Sequence, residues 1–194
     1  AMPVVAVTAG RDGLTVVAAA LVVAALASHV FSRSSRLAET AVTVFGSLYI
    51  GFSLAHLVLI RQMDDGTMLL LSMIVGVWVN DIAAYLAGSA FGRRPLAPRI
   101  SPHKTWEGLA AGTIATVGAW LLLGTYLTEL PWPLLVVLGL AASAAAVIGD
   151  LTESRFKREA DVKDSGRLLP GHGGFLDRFD AFILVTIVTY YVLL

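Results

Sequence analysis

The chain has 194 residues, 57% of them hydrophobic and 14% charged, with no net charge and a mean hydropathy of +0.77. An ordinary soluble domain carries about 25% charged residues, so this composition excludes one and makes the natural unit a membrane span of about 20 apolar residues. Cysteine is absent, which excludes a disulfide framework and a thiolate metal site; a bound metal has only oxygen ligands or the four histidines to hold it.

Hydropathy predicts six spans, at about 14–31, 38–60, 68–91, 107–128, 132–149 and 179–194. The expected fold is an all-α polytopic bundle of membrane helices. It forms a single membrane domain over 1–194, with a cytoplasmic catalytic loop between the last two spans. Residues 1–13 have no basic run beyond Arg11 and no fitting cleavage site, so no cleavable signal peptide is expected. If the spans alternate, the connections 32–37, 92–106 and 150–178 share one side and carry 12 of the 14 Lys and Arg residues. Only Arg11 and Arg61 fall on the other side. The positive-inside rule then puts the three basic connections in the cytoplasm and both ends of the chain outside.

The third span carries Asn80 and Asp81 near its centre. A carboxylate at that depth costs roughly 2.5–3.5 kcal/mol on insertion scales, so Asp81 is read as a functional group facing protein or water. The plainer alternative is a helix-packing hydrogen bond from Asn80 to another span. Asp81, Tyr85 and Gly88 fall on one helical face, where Gly88 and Gly92 permit close approach of a ligand or a neighbouring helix.

In the next connection, Pro95, Pro98 and Pro102 keep the backbone non-helical until the fourth span begins. Ser101 or Thr105 is expected to cap that helix, with Glu107 giving its first turn an acidic start. Lys104 then stands at a helix N-terminus, where free N–H groups and the dipole favour phosphate. Ser101, Lys104 and Thr105 are therefore candidate phosphate contacts, and His103 a bystander. The GxxxG spacing of Gly108 and Gly112 points to tight helix packing.

Residues 150–180 hold 13 of the 28 charged residues. Asp150 ends the fifth span, and Asp177 and Asp180, spaced i, i+3, share a face of the first turn of the sixth. Three convergent carboxylates suit a hard cation such as Mg²⁺ and repel one another without one. Lys157, Arg158 and Lys163 offer charges suited to phosphate oxygens. The turn Pro170-Gly171-His172-Gly173-Gly174 lets backbone N–H groups approach an anion; His172 reads equally as a phosphate contact or a structural turn residue. Glu159 and Asp161 read as solvated surface charges. No GxxxxGK[ST] run occurs, which excludes a P-loop nucleotide site. Metal carboxylates beside basic residues at a bilayer surface point to a metal-dependent enzyme that joins a soluble phosphate donor to a membrane lipid.

One stretch is more specific. Ser154-Arg155-Phe156-Lys157-Arg158, then Lys163-Asp164-Ser165-Gly166, then Leu169-Pro170-Gly171-His172-Gly173-Gly174, then Asp177-Arg178-Phe179-Asp180 resembles the signature of the phosphatidate cytidylyltransferase (CDP-diacylglycerol synthase) family. Asn80-Asp81 with Tyr85 and Gly88, and Ser101-Pro102 with Lys104-Thr105 and Glu107-Gly108, resemble further segments of it. The resemblance implies an integral-membrane enzyme that makes CDP-diacylglycerol and pyrophosphate from CTP and phosphatidic acid. It implies Asp150, Asp177 and Asp180 as a metal centre for Mg²⁺, with K⁺ as a candidate second cation. Lys157 and Asp81 join them as catalytic residues. Substrate contacts fall to Asn80, Ser101, Lys104, Thr105, Arg158, Lys163, Asp164, His172, Gly173, Gly174 and Arg178. Asp81 either shapes the lipid-head cavity or helps order the metal site. A bacterial-type inner or plasma membrane, a cytoplasmic active site, a homodimer and no nucleic-acid partner follow from the same likeness. Bacterial members commonly have more spans than six, so the chain is expected to be a C-terminal part of a longer enzyme or a short member. Rival readings are a CTP-dependent polyprenol or phytol kinase and an inactive membrane fragment or binding protein. A CDP-alcohol phosphotransferase is disfavoured because no DGxxAR run is present.

Overall fold

The computed structural model describes residues 1–162, 166, 174 and 176–194, except for the side chain of Arg178. The expectations for Lys163, Asp164, His172 and Gly173 lie outside the described residues, as does that for the Arg178 side chain. The chain packs as two compact units, Ala1–Asp64 and Asp65–Leu194.

The first unit consists of α1 (Met2–Phe31), α2 (Leu37–Ser47), a π-helical turn (Leu48–Phe52) and α3 (Ser53–Arg61). Helix α1 begins far before the predicted start at residue 14, with Pro3 in its first turn, where the missing N–H is not needed. Arg11 and Asp12 lower the local hydropathy without ending the helix, which kinks at Gly10 (φ 58°, ψ −147°) instead. That left-handed backbone is open to glycine at little cost. The π-helical turn makes the predicted second span one continuous helical segment, Leu37–Arg61. Met2, Ala6, Leu14, Ala55, Leu59 and Ile60 are buried.

The second unit consists of α4 (Gly66–Phe91), a hairpin of β1 (Pro95–Ala97) and β2 (Ser101–Thr105), α5 (Trp106–Leu127), α6 (Trp132–Glu159) and α7 (Leu176–Leu193). Helix α4 packs along α5, α5 on α6, and α6 on α7, with α4 also touching α6 and α7. The core holds Leu69, Met73, Val77, Trp120, Leu135, Leu138 and Val185. Small residues set the spacing. A Cβ on Gly108 would stand 2.7 Å from the Ala84 carbonyl oxygen, and one on Gly112 3.0 Å from that of Asn80, so α4 and α5 meet backbone to backbone there. This is the packing that the GxxxG spacing predicts.

By length and composition, Met2–Phe31, Leu37–Arg61, Gly66–Phe91, Trp106–Leu127 and Trp132–Glu159 are long and apolar enough to cross a membrane. The sixth predicted span corresponds to a shorter apolar helix, Phe179–Leu193. The architecture is the expected all-α polytopic membrane bundle, with one two-stranded hairpin added. Its strands are antiparallel, pairing Pro95 with Thr105 and Ala97 with Ser101. Helix α6 also departs from expectation. Its predicted span ends at 149, where apolar residues stop, but the helix continues through Glu159. A helix of 28 residues is about 42 Å long at 1.5 Å per residue, more than the roughly 30 Å of a hydrocarbon core. Its last turns therefore form a charged helical extension rather than the start of a loop.

Candidate active site

The site is built where the hairpin, the charged end of α6 and the start of α7 meet. Thr105 caps α5 as expected, its hydroxyl accepting from the Gly108 N–H at 3.1 Å. Glu107 then reaches back to accept from the Arg93 and Arg94 N–H groups at 3.2 and 3.3 Å, while the Trp106 N–H donates to the Arg94 carbonyl at 3.0 Å. These bonds clamp the base of the hairpin onto the helix start and so fix Lys104. The Lys104 ammonium pairs with Asp150 on α6.

The helical continuation of α6 decides what surrounds Asp150. Asp150, Glu153 and Lys157 stand at i, i+3 and i+7, one row on one face. The Ser154 hydroxyl donates to Asp150 Oδ1 at 3.3 Å. Lys157 Nζ donates to Glu153 Oε2 at 2.7 Å and to Asp177 Oδ1 on α7 at 2.9 Å. Asp177 Oδ2 also accepts from the Gly174 N–H at 2.7 Å. Helix α7 can come this near because α6 has Gly149 at the contact, where a Cβ would stand 2.5 Å from the Asp180 carbonyl oxygen. Asp180 thereby sits within electrostatic reach of both Asp150 and Glu153.

Among the described side chains, four carboxylates (Asp150, Glu153, Asp177, Asp180) thus gather around two ammonium groups (Lys104, Lys157). Glu153 is the most extreme member, with a side chain only 1% exposed and an Oε1 without a geometric hydrogen-bond partner among the described residues. A buried carboxylate persists only when paired, and removing the partner of a buried pair costs roughly 3–5 kcal/mol. The donor chemistry fits a hard cation, since the described acidic side chains of the cluster offer carboxylate oxygens. Among the described residues no three acidic or histidine side chains are gathered to hold an ion together. Asp150 and Asp177 are instead engaged by lysines.

A cavity of about 370 Å³ adjoins this cluster, lined by Asp81, Tyr85, Ser101, Lys104, Thr105 and Asp150 among others. Asp81 lies ten residues inside α4 from Phe91, about 15 Å along the axis, and shares the cavity lining with Asp150 and Lys104. Asn80 also borders the cavity. Its Oδ1 accepts from the Ser143 hydroxyl at 2.9 Å and the Thr116 hydroxyl at 3.2 Å, tying α4, α5 and α6 together. That is the helix-packing bond weighed above as the alternative for Asn80. Its Nδ2 is 3.5 Å from Asp81 Oδ1.

The structure therefore brings together Asp81, Lys104, Asp150, Lys157, Asp177 and Asp180, with Asn80, Ser101, Thr105 and Gly174 at their borders. Arg158, one residue past Lys157 and so about 100° round the helix, is exposed and outside the lysine–carboxylate pairs. Glu159 and Asp161 are exposed, Glu159 pairing with Arg155 at 2.6 Å. Sequence reasoning did not single out Glu153. The signal was present, three residues after Asp150 and four before Lys157, but it exists only if the helix runs on past the apolar segment.

Comparison with known proteins adds an independent line. All of residues 1–194 match a family model described as the cytidylyltransferase family. The chain is 40% identical over 157 residues to a phosphatidate cytidylyltransferase of Bacillus subtilis (strain 168), covering 80% of this chain and 58% of that protein. Its identity to the Haemophilus influenzae protein of that name is 47% over 121 residues, 60% of this chain and 42% of the relative. With the Mycobacterium leprae protein it is 35% over 158 residues, 81% of this chain and 50% of the relative. The chain spans about half the length of the curated relatives it matches.

Proposed function

The chain belongs to the cytidylyltransferase family, and from that premise we propose that it transfers a cytidylyl group from CTP to phosphatidic acid, giving CDP-diacylglycerol and pyrophosphate. The observation that carries this reading is the meeting of two features at one end of the bundle. A cluster of four carboxylates and two lysines shares Lys104 and Asp150 with a cavity large enough for a phosphate head group. The names of the relatives support the substrates.

The chemistry asks little of a general base, because the lipid phosphate is already an anion. One of its oxygens attacks the α-phosphorus of CTP in line, a new P–O bond forms, and the bond to the β-phosphate oxygen breaks as pyrophosphate leaves. Catalysis of this kind is mostly positioning and charge neutralisation. Lys157 neutralises triphosphate oxygens, and Lys104, at the N-terminus of α5, takes either phosphate. Asp150, Asp177 and Asp180 would hold Mg²⁺, which when bound offsets the charge of the triphosphate; K⁺ remains the candidate second cation. Substrate and lysine must exchange partners in this scheme, since Lys104 and Lys157 engage Asp150 and Asp177 here. Asp81 lines the cavity that receives the lipid head group.

The same proposal puts the active site on the cytoplasmic side, which the 12-to-2 distribution of basic residues supports. It also includes a homodimer, which cross-linking in native membranes tests. Incubation with phosphatidic acid, Mg²⁺ and CTP labelled separately at the α and γ positions tests the reaction. Alpha label in the lipid with γ label released as pyrophosphate is the expected result. Gamma label in the lipid, with a polyprenol or phytol as acceptor, replaces the reading with a kinase.

A further inference from the structure

We infer that Glu153 is a positioning residue for nucleotide binding: it anchors Lys157 so that the ammonium keeps its aim when Asp177 is released. The inference rests on the proposed CTP reaction, but its geometry does not. Lys157 Nζ lies between two carboxylates of different standing. Asp177 is on another helix, and its second oxygen accepts from the Gly174 N–H. Glu153 is on the same helix four residues back, within one rigid turn, and its side chain is 1% exposed.

A lysine side chain has four rotatable carbons and settles wherever its strongest partner holds it. If Asp177 were its only anchor, any cation or substrate that claimed Asp177 would free the ammonium to wander. With Glu153 beneath it, the ammonium stays where it is whichever way Asp177 turns. Glu153 is suited to this because it cannot leave. It is buried, and among the described cations only Lys157 offsets it by direct contact. The i, i+4 order, Glu before Lys, is the favoured one on a helix, and Lys157 lies in the last turn, where the helix dipole favours a cation.

Glu153→Gln keeps the shape and one acceptor oxygen but removes the charge. The readout is equilibrium binding of labelled CTP to the detergent-solubilised chain, measured apart from turnover, on the wild type, E153Q, K157A and the double variant. The expected result is a roughly tenfold weaker CTP dissociation constant for E153Q, the scale of one charge-assisted hydrogen bond. Its phosphatidic acid affinity should stay unchanged, and it should add nothing further on the K157A background. That non-additivity separates positioning from bulk structural support. Wild-type CTP affinity in E153Q, or a full additional loss on top of K157A, overturns the inference. A wild type that binds no CTP overturns the proposed function and this inference together. If E153Q does not fold, Glu153→Asp, which keeps the charge and withdraws it by one methylene, takes its place with the same expected pattern. Equal weakening for both substrates in that variant overturns the inference too.

Discussion

The last turns of α6 carry two ion pairs of the same spacing, in opposite order, on opposite faces. Glu153–Lys157 and Arg155–Glu159 both join residues four apart, at 2.7 and 2.6 Å. Their surroundings differ completely. The Arg155 and Glu159 side chains are 56% and 61% exposed, whereas Glu153 is 1% exposed and Lys157 21%. The exposed pair is screened by water and contributes at most about 1 kcal/mol. The buried pair faces α7, contacts Asp177 and borders the cluster of Asp150 and Asp180. Spacing on a helix therefore says which residues meet; the neighbour packed against that face says whether the meeting has consequences.

Four variants test that contrast. Asp177→Asn should have the largest effect, lowering turnover by roughly 10²-fold or more while the protein still elutes as a folded species in detergent; near-normal rates would remove Asp177 from the site. Lys157→Ala comes next, with an apparent CTP affinity weakened about tenfold and little change toward phosphatidic acid. Asn80→Leu should act on the scaffold, since it takes the shared acceptor from Ser143 and Thr116. A loss of about 1–2 kcal/mol, seen as a lower melting midpoint, is the expected outcome, and an unchanged midpoint contradicts it. Glu159→Gln should be the mildest, shifting stability by less than about 0.5 kcal/mol and leaving transfer rates alone. A strong effect there would dissolve the distinction between the two faces.

The composition made a membrane bundle legible, and polar residues stranded at the borders of apolar segments pointed to Asp150, Asp177, Asp180, Lys157 and Lys104. Hydropathy reports where apolar residues stop, not where hydrogen-bonded turns stop. For that reason the extension of α6 to Glu159 was read as loop, and Glu153 lost its place in the Asp150–Glu153–Lys157 row. The same cause hid the early start of α1, where Arg11 and Asp12 lower hydropathy inside a helix that continues. Contacts distant in sequence were out of reach for a different reason. Lys104 and Asp150 are 46 residues apart, Asn80 and Ser143 63 apart, and no local periodicity encodes such pairings. The hairpin between α4 and α5 was masked by three prolines that argued against a helix without specifying what replaces it.

The most direct test follows α-labelled CTP into phosphatidic acid in three chains measured side by side: wild type, Asp177→Asn and Glu159→Gln. The account predicts lipid labelling at similar rates in the wild type and Glu159→Gln, and almost none in Asp177→Asn. Equal labelling in all three, or loss in Glu159→Gln as large as in Asp177→Asn, would contradict the claim that the buried face of α6 against α7 is where the cytidylyl group is transferred.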